Sequence, residues 1–302
     1  MVESSHSLEK IKYFKLKDFI EKIKVNSNVL AHMEETNEEF DKYMNTLAQF
    51  KEKDVLNWWL SQSYNDILES NKIENHYITR QEMVKSDIME KVVKKPLTHE
   101  TIEKLHQFAI QDKKAKREKY RVTEVRHSTL HNDGSEEIFW YGVEPEDIYN
   151  FMEDFLSVYN TKNMSVIDSN PILNSALIHL LFVRIHPFKD GNSRTARMLQ
   201  SIKFTESLNR LYGKKYCLCP ISLSESIYMN RYTYSNRITS IIFDPTVDNN
   251  KAINQWFDFM LNMVDEQLYH RQTHLDNLEA AQLMFDNQDE KMLDEIKKLR
   301  LK

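Results

Sequence analysis

Apolar side chains recur at spacings of three and four along most of this chain, and that period predicts helices. From Asp54 onward Leu56, Trp59, Leu60, Ser63, Ile67, Ser70 and Glu74 share one face. Residues 98 to about 114 read as another helix, with Thr98 as its cap and Glu100 and Glu103 near its positive end. Residues 144–159 resume the spacing through Ile148, Phe151, Met152, Phe155 and Leu156. Asn170-Pro171 then opens a helix, Asn as cap and Pro at the first helical position. Its body, residues 172–185, is apolar nearly all round and therefore a core helix. It stops at His186-Pro187, and a further helix is expected from Asn192 or Ser193 to about Leu208. Others are expected at about 224–241 and 251–269, followed by a charged helical tail to Lys302. Residues 1 to about 50 are charged and loosely periodic, and read as helices on the outside of the body.

One stretch breaks the pattern. Across residues 120–141, Val122, Val125, Thr129 and Leu130 lead into Asn132-Asp133-Gly134, and Ile138-Phe139-Trp140-Tyr141 follow. Asp-Gly between β-prone runs predicts a hairpin. Composition agrees with an otherwise helical chain: there are 4 glycines among 302 residues, where average usage would give about 21. Glycine supplies the positive-φ turns of sandwiches, barrels and nucleotide-binding α/β folds. The expectation is thus an all-α, mostly helical fold with one small β-hairpin.

Charge removes some functions. A formal net charge of -5 and a pI of about 6.1 do not suggest a nucleic-acid binder. Cys217 and Cys219 are too close to bridge readily, and no second pair is present for zinc. No apolar run approaches the length of a membrane span, and the first residues carry no secretory h-region. A cytoplasmic chain is the expectation, with no membrane and no nucleic-acid partner.

The chemistry concentrates where the core helix stops. The run His186-Pro187-Phe188-Lys189-Asp190-Gly191-Asn192-Ser193-Arg194-Thr195-Ala196-Arg197 joins that helix to the next. A helix N-terminus offers free N–H groups and partial positive charge to an anion. Gly191 lets backbone approach a phosphate. Arg194 and Arg197, three apart, share the first turns of the new helix and form a polyphosphate cradle. Asp190 is a hard ligand suited to Mg²⁺. His186, with an ordinary pKa of about 6.5, can take a proton from a hydroxyl. Together these parts describe attack of a hydroxyl on a nucleotide phosphate.

The run resembles the signature of the Fic family, H-x-F-x-[D/E]-G-N-G-R-x-x-R, at His186, Phe188, Asp190, Gly191, Asn192, Arg194 and Arg197. A looser resemblance extends from roughly residue 70 to about 259. It implies a helical fold that moves AMP from ATP to a Ser, Thr or Tyr hydroxyl of a target protein. His186 would activate the hydroxyl and Phe188 anchor the loop. Asp190 would hold Mg²⁺ and Asn192 grip the α-phosphate. Gly191 and Ser193 would offer N–H groups, with Arg194 at the β-phosphate and Arg197 at the γ-phosphate. Ser193 stands where the family has glycine, which puts a Cβ and a hydroxyl near the phosphates and implies reduced or altered activity. The family's phosphotransferase variant has lysine there and lacks the second arginine, so AMP transfer is favoured.

Ser70, Glu74 and Asn75 resemble the family's inhibitory pattern [S/T]-x-x-x-E-[G/N], which implies that Glu74 pairs with Arg197 and blocks the γ-phosphate. The hairpin at Asp133-Gly134 matches the flap on which a protein substrate docks as an added strand; Phe139, Trp140, His127 and His131 could touch that target or simply pack. Tyr234 resembles an adenosine-pocket tyrosine, with core packing as the other reading. The resemblance divides the chain into an N-terminal helical extension (1–53), an inhibitory-helix region (54–95), a Fic core (96–270) and a C-terminal helical tail (271–302), and allows a homodimer. Two other readings stay open: a hydrolase that removes AMP from modified proteins, with Glu74 activating water, and an inactive scaffold that only binds nucleotide.

Overall fold

The computed structural model describes residues 11–74, 96–110, 119–131, 133–161, 166–212 and 219–276. Three helices lie within residues 11–74: α1 (Leu16–Ile20), α2 (Ser27–Leu47) and α3 (Glu52–Ile73). Then come α4 (His99–Ile110), a hairpin of β1 (Arg126–Leu130) and β2 (Glu136–Tyr141), and α5 (Ile148–Asn160) behind a short 3-10 turn. The rest is α6 (Val166–Ser169), α7 (Pro171–Ile185), α8 (Asn192–Tyr212), α9 (Leu223–Met229), α10 (Arg231–Thr239) and α11 (Asn250–Asp276).

Among the described residues the fold is the expected one, mostly helical with one hairpin. The core is built around α7, whose fifteen residues are all buried. Asn170 caps it as expected, its side chain accepting from the N–H groups of Ile172 and Leu173 at 2.9 Å each. An all-apolar helix can sit only at the centre, and α5, α8 and α11 pack around it. Each fully buried Leu, Ile or Phe there contributes about 1.5–3 kcal/mol.

Two elements differ from the sequence expectation. The helix expected over residues 224–241 is two, with Asn230 between them in a non-helical conformation (φ -108°, ψ 24°). The break turns α10 so that Tyr234 and Ile238 face inward. The N-terminal helices are not all on the outside. Phe40, Tyr43, Met44 and Leu47 of α2 are buried, and Tyr43 links Trp58 to the carbonyl of Pro220 through hydrogen bonds of 2.6 and 2.9 Å. The high charge of this segment had masked its apolar stripe. The expected tail beyond residue 276, Cys217 and Asn75 lie outside the described residues; Cys219 is a buried free thiol.

The strands pair antiparallel, with an irregularity between His127 and Ser128. Gly134 takes φ 83° in the connecting turn, and Asp133 Oδ1 accepts from the Ser135 N–H at 2.9 Å. Trp140 is buried while Phe139 is exposed, so alternation along β2 sends one aromatic inward and one out. No helix among the described residues is long and apolar enough to cross a membrane.

Candidate active site

Helix α7 ends because His186 turns the chain left-handed (φ 54°, ψ 58°). Among the described residues it is the one non-glycine with positive φ. Histidine tolerates that region better than most residues, and Pro187 cannot extend a helix behind it. The His186 N–H still donates to the carbonyl of Phe182 at 3.0 Å. Its Nδ1 lies 3.2 Å from the carbonyl of Val183. A carbonyl only accepts, so this contact places the proton on Nδ1 and leaves the lone pair on Nε2. The Trp140 ring stands edge-on to the imidazole at 5.1 Å, and the buried Arg184 guanidinium lies over that indole at 4.7 Å.

The loop beyond His186 is held from beneath. Phe188 is fully buried, stacked on His106 at 3.7 Å and met edge-on by Tyr120 at 5.5 Å. His106 Nε2 also lies 2.8 Å from the carbonyl of Asp190, so one α4 side chain fixes both ends of the turn. The side chain of Asn192 closes it: Oδ1 accepts from the Phe188 N–H at 2.9 Å and Nδ2 donates to the Phe188 carbonyl at 2.8 Å. This leaves one amide hydrogen of Asn192 for any other acceptor. Gly191 takes φ 75°, and a Cβ there would come within 2.4 Å of Ile110 Cγ2 and 3.1 Å of His106 Nε2. Glycine is needed because the loop turns left-handed against α4.

Helix α8 starts at Asn192, and its first backbone bond runs from the Thr195 N–H to the Gly191 carbonyl at 3.0 Å. The N–H groups of Asn192, Ser193 and Arg194 precede that bond at the positive end of the helix. Ser193 is half-buried there. Asp190 exposes 82% of its side chain. Its Oδ1 accepts from the Gly191 N–H at 2.6 Å and its Oδ2 from Arg194 Nη2 at 3.2 Å. Arg194 itself is 3% exposed, and its Nε and Nη1 are buried without a hydrogen-bond partner among the described residues. Two unsatisfied donors on a buried cation are costly, and a phosphate group supplies the acceptors that such a fork lacks.

Arg197, one turn on, is held at Nε and Nη2. Its Nε donates to Ser70 Oγ at 2.8 Å, and its Nη2 donates to the Ser70 carbonyl at 2.8 Å and to Glu74 Oε1 at 3.0 Å. Tyr234 Oη lies 3.5 Å from Nη1, a long contact. Behind it, Tyr234 Oη is 2.8 Å from His179 Nε2, and His179 Nδ1 is 2.6 Å from Gln200 Oε1. With the amide oxygen accepting from Nδ1–H, Tyr234 donates to Nε2 and its oxygen is left to face Arg197. Burial, and then the charge of Arg197, push the His179 imidazole down to about 3; burial pushes the Tyr234 phenol up to about 12.

The structure therefore brings together His186, Asp190, Gly191, Asn192, Ser193 and Arg194 in one loop, and Ser70, Glu74, Arg197 and Tyr234 just behind it. Tyr234 sits in the buried network around Arg197. Two participants escaped the sequence reading. His106 shares a helix face with Ile102, both buried, and its spacing there is that of an ordinary core position. Asp66, one turn before Ser70, is fully buried and accepts from Ser201 Oγ at 2.5 Å and the Ser224 N–H at 2.6 Å, so it joins α3 to α8 and α9. Its place on the Ser70 face was the available signal.

No group of three or more His, Cys, Asp or Glu among the described residues could hold a metal. Asp190 alone suits Mg²⁺ only where phosphates and water complete the shell, and an exposed carboxylate beside an unsatisfied arginine fits that arrangement.

Residues 96–202 match the profile of the Fic/DOC family. Protein adenylyltransferase fic-1 of Caenorhabditis elegans is 38% identical over 60 residues, which is 20% of this chain and 11% of that protein. A Fic family protein from Desulfovibrio desulfuricans G20 superposes with a TM-score of 0.53 at 15% identity, over 83% of this chain and 76% of that one. A Fic domain containing signaling protein from Bacteroides thetaiotaomicron gives 0.56 at 21% identity, over 82% of this chain and 96% of that one. At such identities the superpositions speak for the fold.

Proposed function

We propose, on the premise that this chain carries a Fic domain, that it transfers AMP from ATP to a Ser, Thr or Tyr hydroxyl of a target protein and of itself, and that Glu74 restrains the reaction. The observation that carries this reading is the placing, within one loop, of His186, whose Nδ1 faces the Val183 carbonyl, beside a buried Arg194 whose Nε and Nη1 have no acceptor among the described residues.

In this mechanism the hydroxyl oxygen attacks the α-phosphorus. The bond to the β-phosphate breaks, pyrophosphate leaves, and the hydroxyl proton goes to His186 Nε2. Arg194 and the first N–H groups of α8 take up charge on the phosphates. Asn192 keeps the loop closed and has one amide hydrogen to offer the α-phosphate. Asp190 would hold Mg²⁺, whose contribution is to neutralise phosphate charge. The target would lie along the hairpin near Asp133-Gly134, paired through backbone.

Restraint follows from occupancy. The guanidinium of Arg197 would meet the γ-phosphate, but Glu74 and Ser70 hold it. A carboxylate there both uses the donors and repels the phosphate.

The test incubates the protein with labelled ATP and Mg²⁺, alone and with a lysate, as wild type, Glu74→Gly and His186→Ala. Labelled protein that increases in Glu74→Gly and vanishes in His186→Ala, with nucleotide binding retained in the latter, supports the reading. Labelling that survives His186→Ala removes His186 from the base role. Nucleotide binding without labelling in any variant would leave a scaffold, and loss of AMP from a pre-modified target would make the protein a hydrolase.

A further inference from the structure

Arg121 belongs to none of the signatures described so far, yet all three of its guanidinium nitrogens serve the site's backbone. Nε donates to the carbonyl of His186 at 2.7 Å. Nη1 donates to the carbonyl of Thr123 at 2.7 Å, and Nη2 to the carbonyl of Val143 at 2.6 Å. Its own N–H donates to the carbonyl of Pro187 at 2.9 Å. The side chain is 5% exposed. One planar fork thus touches the chain just before β1, the chain just after β2 and the catalytic loop at His186, while the Arg121 backbone holds the next loop residue, Pro187.

Gly142 makes room for it. A Cβ there would fall 2.6 Å from Arg121 Nη2, 2.9 Å from Val125 Cγ2 and 3.3 Å from His186 Cβ. Its φ is not positive, so this glycine is required by space. The Gly142 N–H donates to the Val125 carbonyl at 3.1 Å and extends the pairing of the hairpin to the point where the fork enters. Among the described residues no carboxylate is hydrogen-bonded to the fork. Its charge is answered by three carbonyls, by the negative end of α7, which terminates at the His186 carbonyl it binds, and through space by Glu144 and Glu124. Lysine, with one nitrogen on a flexible stem, cannot span three carbonyls in a plane.

We propose that Arg121 is a positioning residue that sets the distance between the base of the hairpin and His186. It holds His186 in its left-handed turn and ties both strands to that turn, so that a hydroxyl carried by a peptide on the hairpin arrives within reach of His186 Nε2. The inference rests on the AMP-transfer reading for its consequence in catalysis, while the coupling of hairpin to loop is a property of the fold alone. It also gives Gly142 a role: any side chain there displaces the fork without altering its chemistry.

The experiment compares Arg121→Lys and Gly142→Ala, each in the full chain on the Glu74→Gly background. Three readouts are taken: kcat for transfer of labelled AMP, MgATP affinity by calorimetry, and backbone hydrogen exchange. In both variants kcat should fall about tenfold or more, because a displacement of about 1 Å at the reacting groups is that costly. MgATP affinity should stay within about twofold, since the phosphate groups meet α8 and Arg194 instead. Exchange should quicken together in the hairpin (126–141) and at residues 186–190. A kcat within about twofold of the background in both variants, or affinity falling in step with kcat, overturns the proposal. If the background protein transfers no AMP, the functional reading fails on its own. Exchange then still decides: faster exchange in hairpin and loop together upholds the coupling, and a change confined to residues 121–125 or to neither segment overturns it.

Discussion

Glu74 Oε1 lies 3.0 Å from Arg197 Nη2, across 123 residues of sequence. Glu74 is the C-cap of α3 and 36% of its side chain is exposed, while Arg197 is 1% exposed. Solvent on the glutamate side screens the pair, so its worth is nearer the about 1 kcal/mol of a surface bridge than the about 1.5–3 kcal/mol of a buried charged hydrogen bond. Glu74→Gly should therefore raise ATP-dependent labelling by about five- to tenfold. Ser70 keeps two bonds to the same guanidinium. Ser70→Ala should add less than Glu74→Gly does, because the carbonyl bond survives it. Titrating labelling against ATP concentration in both single variants and the double variant checks this; equal labelling in wild type and Glu74→Gly would leave the restraint without support.

Arg194 predicts opposite effects on stability and on binding. Its Nε and Nη1 are buried without acceptors among the described residues, and each such group costs about 1–3 kcal/mol. Arg194→Met removes those donors while keeping much of the stem. Its melting temperature should stay level or rise, whereas MgATP affinity should fall by about tenfold or more. Conversely, saturating MgATP should raise the melting temperature of wild type more than that of the variant. A variant that melts well below wild type and binds nucleotide equally would show that Arg194 serves the fold alone.

Gly191→Ala meets two obstacles, the φ of 75° and the 2.4 Å approach of Ile110 Cγ2. Strain in the left-handed region costs about 1–3 kcal/mol, and overpacking adds a similar amount. The melting temperature should drop by several degrees. Adding Ile110→Ala should recover the steric share and leave the φ share, so a partial rescue is expected. Full rescue by Ile110→Ala would mean that the loop changes conformation without strain at this position.

Much of this was legible in the sequence, for physical reasons that differ by element. Helix α7 announced itself because an all-apolar run between an Asn-Pro cap and His-Pro leaves few alternatives. The hairpin did so through Asp133-Gly134, the loop through its dense run of polar and charged types, and the Ser70–Glu74 face through helical period. What stayed hidden was contact across the chain. His106 reads as one more residue on an apolar face, and nothing local says that it stacks on Phe188. Arg121 sits in a β-prone stretch where a charge looks like surface. Asn230 offers no proline or glycine to mark the break between α9 and α10. Tertiary packing decides each of these, and one sequence carries no record of it.

The buried titratable groups predict an unusual pH response. His179 is held down to about 3 by burial and by Arg197, so it stays neutral in the fold while the unfolded chain takes up a proton below about 6.5. That contribution to stability is present above the unfolded value and is lost as pH falls from about 6.5 towards 3. Glu206 runs the other way: burial lifts its carboxyl to about 7, so its contribution is present at low pH and lost as pH rises from about 4.5 through 7. Each slope is at most about 1.4 kcal/mol per pH unit. In the overlap, between about pH 4.5 and 6.5, the two nearly cancel, and these two groups together should leave wild type flat there. Removing one should expose the other. In His179→Gln, stability should fall as pH rises across that window; in Glu206→Gln, it should rise. Denaturant midpoints at four or five pH values in the three proteins measure this directly. Parallel profiles in wild type and both variants would show that neither group titrates differently in the fold and in the unfolded chain.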